Sequence, residues 1–133
     1  MANPNIVNVT SIYGNSAYVI PSDTNASVAW TYNGSTSLTG LTPSAGTVNR
    51  VTSIVVANVT SSAATCTVGI SNNATYASGT KYYVAYQVSV PPNSSVIVTD
   101  KTSSFYVTEN QSVGVISGTG SALHYTATFE AIT

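Results

Sequence analysis

At 133 residues, 43 % of them hydrophobic, the chain fits one domain that buries roughly two thirds of its unfolded surface, which excludes a disordered polymer. Charged side chains make up 5 % of it, the seven being Asp23, Arg50, Lys81, Asp100, Lys101, Glu109 and Glu130, against about 25 % in an average soluble domain. Three basic residues cannot neutralise a run of phosphates, so no nucleic-acid partner is expected, and no apolar run approaches the ~20 residues of a membrane helix.

Residues 1–20 show no basic start followed by an apolar run, so no secretory signal is expected. The lone Cys66 cannot form an internal disulfide and suits a reducing cytoplasm. Runs rich in Val, Ile, Tyr and Thr then recur between clusters of Asn, Gly, Pro and Ser, the pattern of an all-β sandwich or barrel. Strands are expected at 6–13, 17–20, 27–32, 50–59, 65–71, 81–90, 95–99, 104–108, 112–117 and 122–129. Turns are signalled at Tyr13-Gly14-Asn15, Pro21-Ser22-Asp23, Ser71-Asn72-Asn73, Pro91-Pro92-Asn93 and Gly118-Thr119-Gly120. The predicted fold is all-β: a single antiparallel β-sandwich over 1–133, of about eight to ten short strands, jelly-roll or Ig-like, without significant helix.

Within this frame Trp30, between Val28 and Tyr32 on one strand face, reads as core, with an interface anchor and a carbohydrate platform as the alternatives. The segment 33–47 is mostly Gly, Ser and Thr, and loops of that length are usually functional or mobile. It reads either as an arm lying on a neighbouring subunit, anchored by Leu38 and Leu41, or as a plain solvent loop or weak edge strand. In 50–59, Val51, Val55, Ala57 and Val59 fall on one face and Ile54 and Val56 on the other, which suits a central strand. Alternation in 65–71 puts Cys66 inside with Val68 and Ile70, as a small hydrophobe and not a nucleophile. In 81–90, Tyr82, Val84, Tyr86, Val88 and Val90 form the expected core face, leaving Tyr83 on the mixed face with Lys81, Ala85, Gln87 and Ser89.

Chemistry is sparse. A catalytic set needs at least two convergent groups of tuned proton affinity, and the chain offers one histidine and four carboxylates. His124 shares the polar side of its strand with Thr126 and Thr128, no Gly-x-Ser-x-Gly elbow is present, and one Cys with one His cannot build a zinc site. Asp23 and Asn25 suit turn bonding better than calcium. No enzyme activity, cofactor or metal is therefore expected. Seven Asn-x-Ser/Thr sequons, at Asn8, Asn25, Asn33, Asn58, Asn73, Asn93 and Asn110, are taken as compositional in a chain with 40 Ser and Thr residues. A surface left to Ser, Thr and Asn, with net charge -1, favours association over dispersion, and the cores of protein interfaces are likewise depleted of charge.

Two stretches carry a family resemblance: Arg50-Val51-Thr52-Ser53-Ile54-Val55-Val56-Ala57-Asn58-Val59, and the run from Val90-Pro91-Pro92-Asn93-Ser94-Ser95 through Asp100-Lys101 to Phe105-Tyr106-Val107-Thr108-Glu109. Together with Asn3 to Val9 and Tyr125 to Thr133, they resemble small virion structural proteins of tailed bacteriophages, particularly marine phages and those infecting cyanobacteria. The chain departs from that pattern at Ala131, where members often carry a second acidic residue, and at Asn110, where they often carry Gly. The resemblance implies a particle component made in the host cytoplasm and sited on the outer surface of the head, or on the tail. The expected role is head decoration or cement, binding other copies of itself (a trimer favoured) and the major capsid protein or another virion protein. Neck, tail or fibre component and glycan- or host-surface-binding module are the alternatives. Trp30, Tyr32, Leu38, Leu41 and Tyr83 are the expected contact residues.

Overall fold

A computed structural model describes residues 8–32 and 36–133. Its strands are β1 (Ile12–Val19), β2 (Ala29–Tyr32), β3 (Thr36–Thr39), β4 (Val48–Asn58), β5 (Ala64–Ser71), β6 (Lys81–Val90), β7 (Ser95–Thr99), β8 (Phe105–Val107), β9 (Ser112–Ser117) and β10 (Leu123–Ile132). The fold is all-β, two antiparallel sheets curled into a half-barrel. The large sheet runs β3-β2-β1-β10-β4-β7, with β8 paired to β4 beside β7, and the small sheet runs β6-β5-β9. Along one side the sheets are stitched together: Ser27 and Val115 exchange backbone hydrogen bonds, and the Val113 N–H donates to the Gly40 carbonyl at 2.7 Å. On the other side, among the described residues, β6 pairs only with β5 and β7 only with β4, so no ladder between them crosses that seam.

The core follows from period-two patterning. Leu123, Tyr125, Ala127 and Phe129 of β10 face Cys66 and Val68 of β5 and Val113 and Val115 of β9. Trp30 lies fully buried among them, its indole N–H donating to the Val113 carbonyl at 3.2 Å, so the polar end of the largest side chain is satisfied where water cannot reach it. The Tyr125 hydroxyl does the same with the Ile116 carbonyl at 2.9 Å. Burial is the main cause that pushes its phenol well above the usual range. Two amides stitch loops to the core. Asn49 donates to the Leu41 carbonyl at 2.8 Å. Asn58 donates to the carbonyls of Ser62 and Val90 and accepts from the N–H and hydroxyl of Thr60. With both polar atoms engaged and the side chain buried, the Asn58 sequon cannot carry a glycan in the folded state.

The structure redraws several expectations. The expected break at Tyr13-Gly14-Asn15 is absent, and β1 runs straight through Gly14 against β10. Of the first expected strand, residues 6 and 7 lie outside the described residues, as do the Asn33 sequon and most of the Asn3 to Val9 stretch. The 33–47 segment holds edge strand β3, paired with β2 from Ala29↔Thr39 to Tyr32↔Thr36. It ends in a left-handed turn at Gly40 and Leu41 (φ 63 and 53). That turn drives Leu41 into the core, where it is fully buried. Trp30 and Leu41 are therefore not available as contact residues: the chain's own core consumes both.

In β4, Val51, Ile54 and Val56 share the buried face, while Val55 and Ala57 are half-buried and Val59 is exposed. The cause is an extra residue in the ladder: Ser53 pairs with Thr128 but Val51 with Phe129, and a bulge of one residue reverses the face of all that follow. β6 departs furthest from simple alternation. Its expected core face, Tyr82, Val84, Tyr86 and Val88, is exposed, and only Val90 is fully buried.

Candidate functional site

The departure in β6 has a visible cause. Along the ladder Cys66 pairs with Val88, Val68 with Ala85 and Gly69 with Tyr83. β6 thus spends one more residue than β5 in each of two successive steps, which makes two bulges. At the first, Gln87 takes a left-handed backbone (φ 49) and its N–H donates to the Thr67 hydroxyl at 3.0 Å. Residues three apart on a regular strand point to opposite faces. Here Tyr83 and Tyr86 meet on the same side, their rings 4.8 Å apart and inclined at 53°.

That side is the outer face of the small sheet, and it is prepared for aromatic rings. Gly69 of β5 and Gly114 of β9 are direct cross-strand partners. Over this bare patch lies Tyr76, from the 3-10 turn Tyr76–Ser78 between β5 and β6. A Cβ on Gly114 would come within 2.7–2.8 Å of three Tyr76 ring atoms, and one on Gly69 within 2.5 Å of the Tyr76 oxygen and 3.3 Å of the Tyr83 ring. Glycine in a strand interior marks such a close approach. Burial, followed by the neighbouring Tyr83, raises the Tyr76 phenol above its ordinary value, and its hydroxyl has no hydrogen-bond partner. The Lys81 ammonium lies 5.6 Å from the ring centre and donates to the Ala77 carbonyl at 3.1 Å. The Tyr76 hydroxyl and the Tyr83 ring thus both lie over Gly69, and the Tyr83 ring abuts that of Tyr86.

Beside the tyrosine pair runs a groove of about 310 Å³ floored by Thr65, Thr67 and Ile116 and walled by Tyr83, Tyr86 and Gln87. Tyr83 is 50 % exposed and Tyr86 60 %. No carboxylate, ammonium or guanidinium group lines it.

A second concavity of about 410 Å³ opens over the large sheet, between Tyr13, Asn15, Tyr32, Leu38, Thr47 and Phe129. Two of the expected contact residues, Tyr32 and Leu38, come together there, both half-buried, with Tyr32 tilted against Phe129 at 6.4 Å between ring centres. The fifth, Tyr83, stands on the other sheet. The open seam forms a third surface. Tyr82 and Val88 pair with Ile70 and Cys66, so they belong to the core-facing side of β6, yet they overhang the sheet edge and stay exposed with Val84. Across the seam, Val96 and Val98 of β7 are half-buried, and Ile97 is 67 % exposed on the outer face.

His124 sits half-buried opposite Ala57, and among the described residues no three His, Cys, Asp or Glu side chains converge as a metal site would require. Burial raises the Cys66 thiol and keeps it protonated and inert. Arg50 and Glu130 are cross-strand partners, 3.8 Å apart and both partly exposed, a pair that adds little stability. Sequence patterning locates the exposed Tyr83 but not the groove, because the bulges that bring Tyr86 beside it leave no mark in residue type. The one available signal was glycine in the middle of two otherwise β-branched strands. Comparison with protein families, with curated proteins and with solved structures finds no match to this chain.

Proposed function

We propose that this chain is a non-enzymatic structural protein of a tailed-phage virion, acting as a head decoration or cement protein that binds copies of itself and the capsid shell. The observation that carries the assembly part is the open seam, where Tyr82, Val84 and Val88 stand exposed on β6, a sheet-edge strand paired on one side only, on a chain with 5 % charged residues. Monomeric soluble proteins rarely expose contiguous apolar patches larger than a few hundred Å², and they protect free strand edges with charge. β6 carries one charged residue, Lys81, at its very start. The double bulge keeps this edge from templating an open-ended ladder, which suits side-chain packing into a closed oligomer better than strand addition. The particle assignment rests on the resemblance of 50–59 and 90–109 to small phage structural proteins.

Two measurements test the two parts. Sedimentation analysis should give a closed oligomer, a trimer for the favoured arrangement, and V84K with V88K should shift it to monomer. A wild-type monomer at high concentration would refute assembly through the seam. Quantitative mass spectrometry of the purified particles that encode the chain should find hundreds of copies per particle. A handful would move it to the neck or tail, and none would remove the virion assignment.

A further inference from the structure

We infer that the groove beside Tyr83 and Tyr86 is a binding site for a neutral saccharide, a role distinct from the assembly contacts of the seam. The sequence offers Trp30 as one candidate carbohydrate platform, and its burial withdraws that location. The β6 groove supplies what Trp30 cannot.

Three features select the ligand class. Two exposed tyrosine rings set at 53° form a corner that can hold one small ring on two sides. Their faces carry the negative lobe of the aromatic quadrupole, which matches the weakly positive C–H face of a pyranose and repels an anion. The polar groups around them are the hydroxyls of Thr65 and Thr67 and the amide of Gln87, with no ionised group. A phosphate or carboxylate ligand would find no counter-charge there, whereas sugar hydroxyls find both donors and acceptors. A volume of about 310 Å³ lies at the small end of ligand pockets, so one or two sugar units fit and a longer chain must run out of the groove.

The third feature is preorganisation. Tyr83 and Tyr86 share a face only because β6 is bulged, and the bulge holds Gln87, a non-glycine residue, in the left-handed region. Such backbone costs of order 1 kcal/mol and persists where the surrounding structure over-determines it, commonly at functional sites. Tyr76 is seated over Gly69 and Gly114, with the Tyr83 ring beside it over Gly69. The site therefore exists before ligand arrives, and binding need not order the rings.

Saturation-transfer NMR on the wild-type chain, with glucose, galactose, mannose and their N-acetylated and disaccharide forms as probes, is the test, followed by titration of any hit. At least one neutral sugar should show transfer, with Kd in the millimolar range for a single unit. Y83A and Y86A should each weaken it at least tenfold while Trp30 fluorescence stays native, and Y82A, on the other side of the strand, should leave it unchanged. Transfer to none of the sugars, or transfer that survives Y83A and Y86A, overturns the proposal. So does loss of the oligomer on Y83A and Y86A without any sugar binding, which would make this face a protein contact. A monomeric wild-type chain that still binds sugar would instead sink the assembly reading and leave the saccharide site standing.

Discussion

Gly114→Ala isolates the contact that shapes the outer face. A Cβ there would lie 2.7–2.8 Å from three Tyr76 ring atoms, where carbon atoms pack best at about 3.5–4.0 Å, so the ring must lift by roughly 0.8 Å. Overpacking of this kind costs about 1–3 kcal/mol, offset by about 0.5–1 kcal/mol from removing a strand-interior glycine. The net loss should be about 1–1.5 kcal/mol. In a Tyr76→Ala background the obstacle is gone and only the gain remains, so the same substitution should stabilise by about 0.5–1 kcal/mol. Urea unfolding of the four chains, followed through the single buried Trp30, gives the coupling directly. It should come out near 2 kcal/mol, well above the ~0.5 kcal/mol scatter of independent sites. Equal effects of Gly114→Ala in the two backgrounds would show that Tyr76 does not rest on this glycine.

Other predictions follow from the same contacts. Gln87→Val should cost about 1–2 kcal/mol, since a β-branched side chain resists the left-handed backbone at φ 49, whereas Gln87→Gly should be close to neutral in the same urea assay. Asn58→Ala removes four hydrogen bonds and leaves buried groups unmatched, so a loss of about 3 kcal/mol is expected by thermal unfolding. Tyr76 and Tyr125 both have phenols raised by burial. Above about pH 10, where the unfolded phenol ionises, the unfolded state holds fewer protons than the folded one. Stability should therefore begin to fall near about pH 8.5, where the unfolded Cys66 thiol ionises and the buried one does not, and fall more steeply above about pH 10. Urea midpoints at pH 8, 10 and 11 check this, and Tyr125→Phe should make the alkaline slope shallower.

How much of this was legible depended on whether a strand kept its register. In β5 and β10 the period of two held, and Cys66, Val68, Tyr125 and Phe129 lie inside as their alternation requires. In β4 and β6 bulges broke it. A bulge is a property of a pair of strands, so neither sequence alone announces it; it turns Tyr86 to the outer face, whereas Tyr82 keeps the core-facing side and is exposed because β6 is a sheet edge. The Thr36–Thr39 strand matches the weak edge strand offered as one reading of 33–47, but its bounds leave no mark: Thr-Ser-Leu-Thr pairs through its backbone, with little apolar patterning to delimit it. Leu41 owes its burial to the left-handed turn with Gly40, which composition alone does not fix. The groove needed residues 67, 83, 86 and 116 on one surface, a juxtaposition created by pairing across the small sheet.

The place of β10 between β1 and β4 has a consequence for how the domain is made. Every other strand leaves the ribosome before this one, yet the large sheet has no centre until residues 123–132 arrive. Until then β4 is paired only on its β7 and β8 side, and β1 is paired only with β2 over Ala17 and Tyr18, so the edge of each that receives β10 stands open. Such non-local closure is slow and leaves apolar edges open to wrong pairings. A chain interrupted anywhere before Leu123 should therefore accumulate as aggregate and not as a smaller folded domain.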